Sequence, residues 1–217
     1  MNISTVRDSA CVRCFGTFRD RTHDSPEGGK ECPDSRSGLA ESHPRGSLAG
    51  DMGSGGVSQQ TVVEIADFKV SNDPTIELIT YSLGSCIGVA IWDPVALVGG
   101  MLHFMLSDST ISPDKAVANP AMFADTGIPL LFRSAYSLGA SKKRLVVKVA
   151  GGASMFQTTE RLDIGKHNYL ALRKIFWRNN VLIDSEHTGG CLSRTMRLEI
   201  GSGQVTIGNH RMKQVAI

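Results

Sequence analysis

The chain has 217 residues, of which 41% are hydrophobic, and a formal charge of +2. That is enough apolar material for the core of one ordinary soluble domain. With charges of both signs interspersed, no basic block forms the footprint expected of a nucleic-acid binder. The most membrane-like stretch, Ile87 to Leu106, contains Asp93, Pro94, Gly99-Gly100 and His103, which favours two buried strands over a bilayer span. The first twenty residues carry Arg7, Asp8, Arg13, Arg19 and Asp20 in place of an apolar signal core, so the expected location is the cytoplasm. Five cysteines in such a compartment read as thiols rather than as a disulfide framework.

Residues 1–59 are rich in Gly, Ser, Pro, Arg and Asp and show no sustained apolar period, so they read as a disordered extension. Cys11, Cys14, His23, Cys32 and His43 lie here, but their spacing matches no standard zinc finger and no metal site is expected. A second reading places the working start at Met52, just ahead of the first strand pattern. The folded domain is then 60–217.

Val63, Ile65 and Val70 mark a first strand, which Ser71-Asn72-Asp73-Pro74 ends as a turn. Ile76 to Leu83 alternates as a second strand, Ile87 to Trp92 is a continuous apolar run, and Leu97 to Leu106 follows the Asp93-Pro94 break. From Asn119-Pro120 to about Leu138 apolar residues recur at helical spacing, and Gly127 and Pro129 are expected to split this stretch. Arg144 to Val149 is a buried-strand run ending in Ala150-Gly151-Gly152. Asp163 caps a helix over Ile164 to Asn179, with Leu170, Leu172, Ile175 and Phe176 on its apolar face. Val181 to Asp184, Thr195 to Ile200 and Gln204 to Ile207 read as further strands, with a tight turn at Gly201-Ser202-Gly203.

Two residues stand out chemically. Cys86 ends the run Leu83-Gly84-Ser85-Cys86, and His103 lies on the next predicted strand. A histidine beside a thiol can take its proton and later deliver it to an amine or ammonia leaving group. Gly84 and Ser85 allow a sharp turn whose main-chain N–H groups face a developing oxyanion, which together describes acyl transfer through a thioester. On spacing alone, a buried structural cysteine and a satisfied core histidine are the commoner case and outweigh the catalytic reading, and a metal site from Cys86, His103, His187 and Cys191 fits less well still.

Four ordered words decide among these readings: Leu83-Gly84-Ser85-Cys86, Ile91-Trp92-Asp93-Pro94, Gly99-Gly100-Met101-Leu102-His103-Phe104-Met105-Leu106 and Gly151-Gly152-Ala153-Ser154-Met155-Phe156. Over about residues 60–208 the chain resembles the chemoreceptor glutamine deamidases of bacterial chemotaxis, the CheD family. The resemblance implies a catalytic Cys86, His103 and Thr80, with Gly84, Ser85, Gly151 and Gly152 as oxyanion or substrate-binding candidates, and no cofactor. Gly151-Gly152 and Gly189-Gly190 read equally well as plain turns. The chain departs from the family at Gly165-Lys166-His167-Asn168, where His167 replaces an arginine, at Ser193, where a glycine is usual, and at Ser107, where a proline is usual.

The implied fold is α/β in the broad α+β sense, a β-sheet sandwich flanked by helices, similar in appearance to deamidase toxins of the cytotoxic necrotising factor type. The implied substrate is a glutamine of methyl-accepting chemoreceptors, and a CheC-type phosphatase is the implied further partner. The alternative is a non-catalytic module that binds such a phosphatase or a receptor.

Overall fold

The computed structural model describes residues 59–154, 163–209 and 212–217. The expectations for the N-terminal extension, for a start at Met52 and for its cysteines lie outside the described residues. So does the end of the fourth word, Met155-Phe156.

Among the described residues, ten strands form two five-stranded sheets. In chain order they are β1 (Gln59–Val62), β2 (Asp67–Ser71), β3 (Ile76–Leu83), β4 (Ile87–Asp93), β5 (Val98–Phe104), β6 (Val146–Gly151), β7 (Ser185–Thr188), β8 (Arg194–Glu199), β9 (Val205–Asn209) and β10 (Met212–Ala216). One sheet runs β1-β3-β8-β9-β10 and the other β2-β5-β4-β6-β7. The helices are α1 (Pro113–Ala118), α2 (Ala124–Ser137) and α3 (Ile164–Arg178). The α+β sandwich with flanking helices is therefore present.

Strand alternation builds two cores from one central sheet. Ile87, Val89 and Ile91 of β4, with Val98, Leu102 and Phe104 of β5, face α2 and α3 and pack with Leu131, Phe132, Leu172 and Phe176. The intervening residues Ala90 and Met101 face the opposite sheet and pack with Leu78, Met196, Leu198 and Ile207. Because both faces of β4 and β5 are covered, the Ile87 to Leu106 region reads as almost unbroken hydrophobicity.

Three expectations are corrected. The first strand is two strands in different sheets, because Ala66 adopts a positive φ of 58° and redirects the chain between β1 and β2. The α2 stretch is not split, although Gly127 and Pro129 both lie inside it. Its buried face of Ile128, Leu131, Phe132 and Ala135 holds the helix together, and Gly127 is needed because a Cβ there would crowd the Ala121 backbone at 3.2 Å. The strand expected at Val181 to Asp184 begins instead at Ser185, where pairing with β6 starts.

Candidate active site

Antiparallel register sets the site. In the β4–β5 ladder Gly88 stands directly opposite His103. Cys86, two residues before Gly88, shares its face and lies diagonally across from His103, which is within reach of an imidazole. Both side chains point into the space between the sheets, where Cys86 packs against the inter-sheet core. A Cβ on Gly88 would fall 2.8 Å from Leu83 Cδ1 and 3.1 Å from Met196 Sδ, so this part of the inter-sheet space has no room for a side chain at position 88.

Thr80 comes from the other sheet, on β3, and fixes the histidine. Its Oγ1 lies 2.8 Å from Val63 O and 2.8 Å from His103 Nδ1. A carbonyl only accepts, so the single hydroxyl proton goes to Val63 and Thr80 must accept from His103. His103 therefore carries its proton on Nδ1, and Nε2 presents a lone pair. That Nε2 is buried and has no hydrogen-bond partner among the described residues. Thr80 and His103 are thus in direct contact, with the imidazole in the tautomer that a proton acceptor needs, and Cys86 shares their inter-sheet face without hydrogen-bonding to Nε2.

Burial also sets the resting charges. His103 is fully buried, and desolvation pulls its pKa down from 6.5 to about 4. Burial pushes the Cys86 thiol up, and a contact from its own backbone N–H offsets this in part. At neutral pH the pair is a thiol beside a neutral imidazole, not a preformed thiolate and imidazolium.

The turn that carries Cys86 is held by main-chain bonds. Gly84 N–H donates to Ser82 O at 2.8 Å, Ala153 N–H to Gly84 O at 2.8 Å, and Gly152 N–H to Cys86 O at 2.8 Å. Gly151 has a φ of +110°, and a Cβ there would lie 2.2 Å from Cys86 O, so only glycine allows this approach. The N–H groups of Gly84 and Gly152 are committed to the turn. Those of Ser85 and Cys86 take no part in these main-chain bonds.

Two side chains that had been only parts of longer words prove to organise this region. Asn168, 1% exposed on α3, donates from Nδ2 to Ser85 O at 3.0 Å and to Met105 O at 2.9 Å. Arg194, 6% exposed, donates to Gly189 O, to Leu192 O at 3.2 Å, to Gly151 O at 3.5 Å and from Nε to His187 Nδ1 at 2.7 Å. His187 is therefore engaged with a cation on the side of the Gly151 loop. The sequence signal for both was a polar residue beside glycine, at Gly165 and at Gly189-Gly190, where close backbone approach leaves carbonyls to satisfy.

Comparison with known proteins adds the family. Residues 105–209 match the family model described as CheD chemotactic sensory transduction. The chain is 57% identical over 146 residues to a probable chemoreceptor glutamine deamidase CheD of Syntrophus aciditrophicus, an alignment spanning 67% of this chain and 91% of that relative. The chain belongs to the CheD family. A CheD relative from Solibacter usitatus is 54% identical over 147 residues, covering 68% of this chain and 87% of its own length. One from Anaeromyxobacter dehalogenans is 47% identical over 145 residues, covering 67% and 91%. Both are likewise named probable chemoreceptor glutamine deamidases. The resemblance read from the four words is borne out.

Proposed function

We propose that this protein is a protein-glutamine deamidase that converts glutamine side chains of chemoreceptors to glutamate through a thioester on Cys86. One observation carries the mechanism: Thr80 fixes the His103 tautomer so that an unpartnered Nε2 shares the inter-sheet face with Cys86. Membership of a family whose relatives are named for this activity supplies the substrate class.

The substrate carboxamide enters with its carbonyl oxygen toward the N–H groups of Ser85 and Cys86. Cys86 Sγ bonds to the carboxamide carbon as His103 Nε2 takes the thiol proton, and the carbonyl electrons move onto oxygen. The oxyanion collapses, the C–N bond breaks, and His103 returns its proton to the departing nitrogen, which leaves as ammonia. Water then attacks the thioester with His103 again as base, and the C–S bond breaks to release glutamate and the thiol. Because the resting pair is neutral, proton transfer accompanies attack rather than preceding it. The low pKa of His103 makes its protonated form a strong acid, suited to protonating the leaving nitrogen.

Among the described residues no helix is long and apolar enough to cross a membrane. The test is incubation with receptor, followed by mass spectrometry for replacement of NH2 by OH at defined glutamines. The parent converts them and Cys86→Ala does not. Equal conversion by both would remove Cys86 from the chemistry, and conversion by neither, with the fold intact, would support the binding-module alternative.

A further inference from the structure

We infer that Asn168 is a positioning residue that aims the main-chain N–H of Cys86 at the substrate oxyanion. This rests on the deamidase reading above. Both Nδ2 hydrogens of Asn168 are used on main-chain carbonyls, Ser85 O at 3.0 Å and Met105 O at 2.9 Å. These carbonyls belong to the residue just before the nucleophile and to the residue two beyond the base. One planar carboxamide therefore ties the nucleophile turn to the end of the His103 strand.

Peptide geometry turns that tie into an orientation. The Ser85–Cys86 peptide is planar and trans, so its C=O and its N–H point in opposite directions. Anchoring Ser85 O on α3 turns Cys86 N–H away from α3, and that N–H contacts the Cys86 sulfur. An oxyanion formed by attack of this sulfur lies beside the same N–H.

The helix is built to make the reach. Gly165, one turn before Asn168, sits where a Cβ would be 2.7 Å from both Gly152 O and Ala153 O. Only a glycine lets the first turn of α3 close on the loop that holds Gly84 and Cys86. The remaining polar atom of Asn168, Oδ1, is buried and has no partner among the described residues. Such an acceptor is unfavourable, and an apolar residue of similar size would avoid it, so what selects asparagine here is its pair of donors.

Asn168 touches neither substrate nor sulfur in this scheme, so its loss separates two reactions of one thiol. Deamidation needs the oxyanion donor, whereas alkylation of Cys86 by iodoacetamide needs only the thiolate. For Asn168→Ala the expected result is a fall of about 10²-fold in kcat for receptor deamidation, the scale of one misplaced oxyanion donor, with KM little changed. The limiting rate of alkylation, reached at the alkaline plateau where the thiol is fully ionised, stays within about threefold of the parent, while the midpoint of its pH profile moves up because the N–H that offsets the burial shift is turned away. Where the alanine variant does not fold by circular dichroism, Asn168→Asp, of the same size but with a carboxylate facing the two carbonyls, is assayed by the same pair of measurements. Unchanged deamidation overturns the inference, and so does a parallel fall in both reactions, which would make Asn168 a general support of the pocket. A parent that alkylates normally but never deamidates overturns the functional reading instead.

Discussion

Replacing His103 by glutamine tests the dry, neutral state of the base without any substrate. His103 is fully buried, and burial lowers its pKa from 6.5 to about 4. Between those two values the unfolded chain binds a proton that the folded chain refuses, so stability rises with pH across that window. The contribution is fully present above 6.5 and is lost as pH falls through the folded pKa. Each pH unit inside the window is worth up to about 1.4 kcal/mol, so the whole interval is worth about 3 kcal/mol. Urea denaturation of the parent and His103→Gln at several pH values from about 7.5 to about 4 measures it, since the midpoint tracks stability when the slope is unchanged. His187 is also lowered, by burial first and by the Arg194 charge second, and it acts in the same direction. Because it is present in both proteins, it cancels in their difference. The parent should lose about 3 kcal/mol more than the variant over this range. Parallel curves would mean that His103 titrates near 6.5 in the fold, and the argument for a neutral, desolvated base would fall with them.

The neighbouring groups give sharper contrasts. Thr80→Val removes the acceptor for His103 Nδ1–H and leaves a buried donor unsatisfied, so it should cost about 1–3 kcal/mol in thermal or urea stability and lower deamidation by at least about tenfold; Thr80→Ser keeps the hydroxyl and should retain most of both. Gly151→Ala drives a Cβ to 2.2 Å from Cys86 O at a φ of +110°, whereas Gly139→Ala, at a φ of +97°, meets nothing within 4 Å. The first should lose both stability and activity, and the second should lose only the backbone cost of about 1–2 kcal/mol with activity unchanged, as read by melting and by receptor deamidation.

The strands that carry Cys86 and His103 were legible because period-2 alternation and short turn-bounded runs report strands directly, whereas the sandwich and the singling out of this pair came from the resemblance of the four words to the CheD family. The continuous run at Ile87 to Trp92 was equally informative, since a strand covered on both faces loses its alternation. What the sequence hid was non-local. Nothing around Val63 shows that the chain changes sheets at Ala66, because the residues on both sides have strand character. Pro129 argued for a break by its local cost, and the packing of Leu131 and Phe132 against the central sheet overrode it. The short strand β10 was passed over because Met212-Lys213-Gln214-Val215-Ala216 does not alternate, its ladder with β9 shifting register between Met212 and Val215. Asn168 and Arg194 were hardest to see, since their partners are main-chain carbonyls, and a carbonyl has no letter in a sequence.

The same distinction explains how a site with so few ionised groups could act. On the proposed mechanism Cys86 and His103 exchange a proton and are both neutral at rest, and Thr80 only holds His103 Nδ1–H. On the proposed mechanism, charge appears only after attack, as an oxyanion and an imidazolium formed together. The imidazolium keeps its Nδ1–H bond to Thr80, and the oxyanion needs donors that are already oriented, because a buried peptide cannot rotate cheaply to meet it. On that mechanism the donors come from the Ser82–Cys86 turn, which is held by its own Gly84 N–H to Ser82 O bond together with Gly152, Ala153 and Asn168. On this reading the side chains of Cys86 and His103 account for the proton, and a backbone held by Gly152, Ala153 and Asn168 accounts for the oxyanion. This is why substitutions at Gly151 and Asn168 are expected to impair deamidation while leaving the Thr80–His103 hydrogen bond in place.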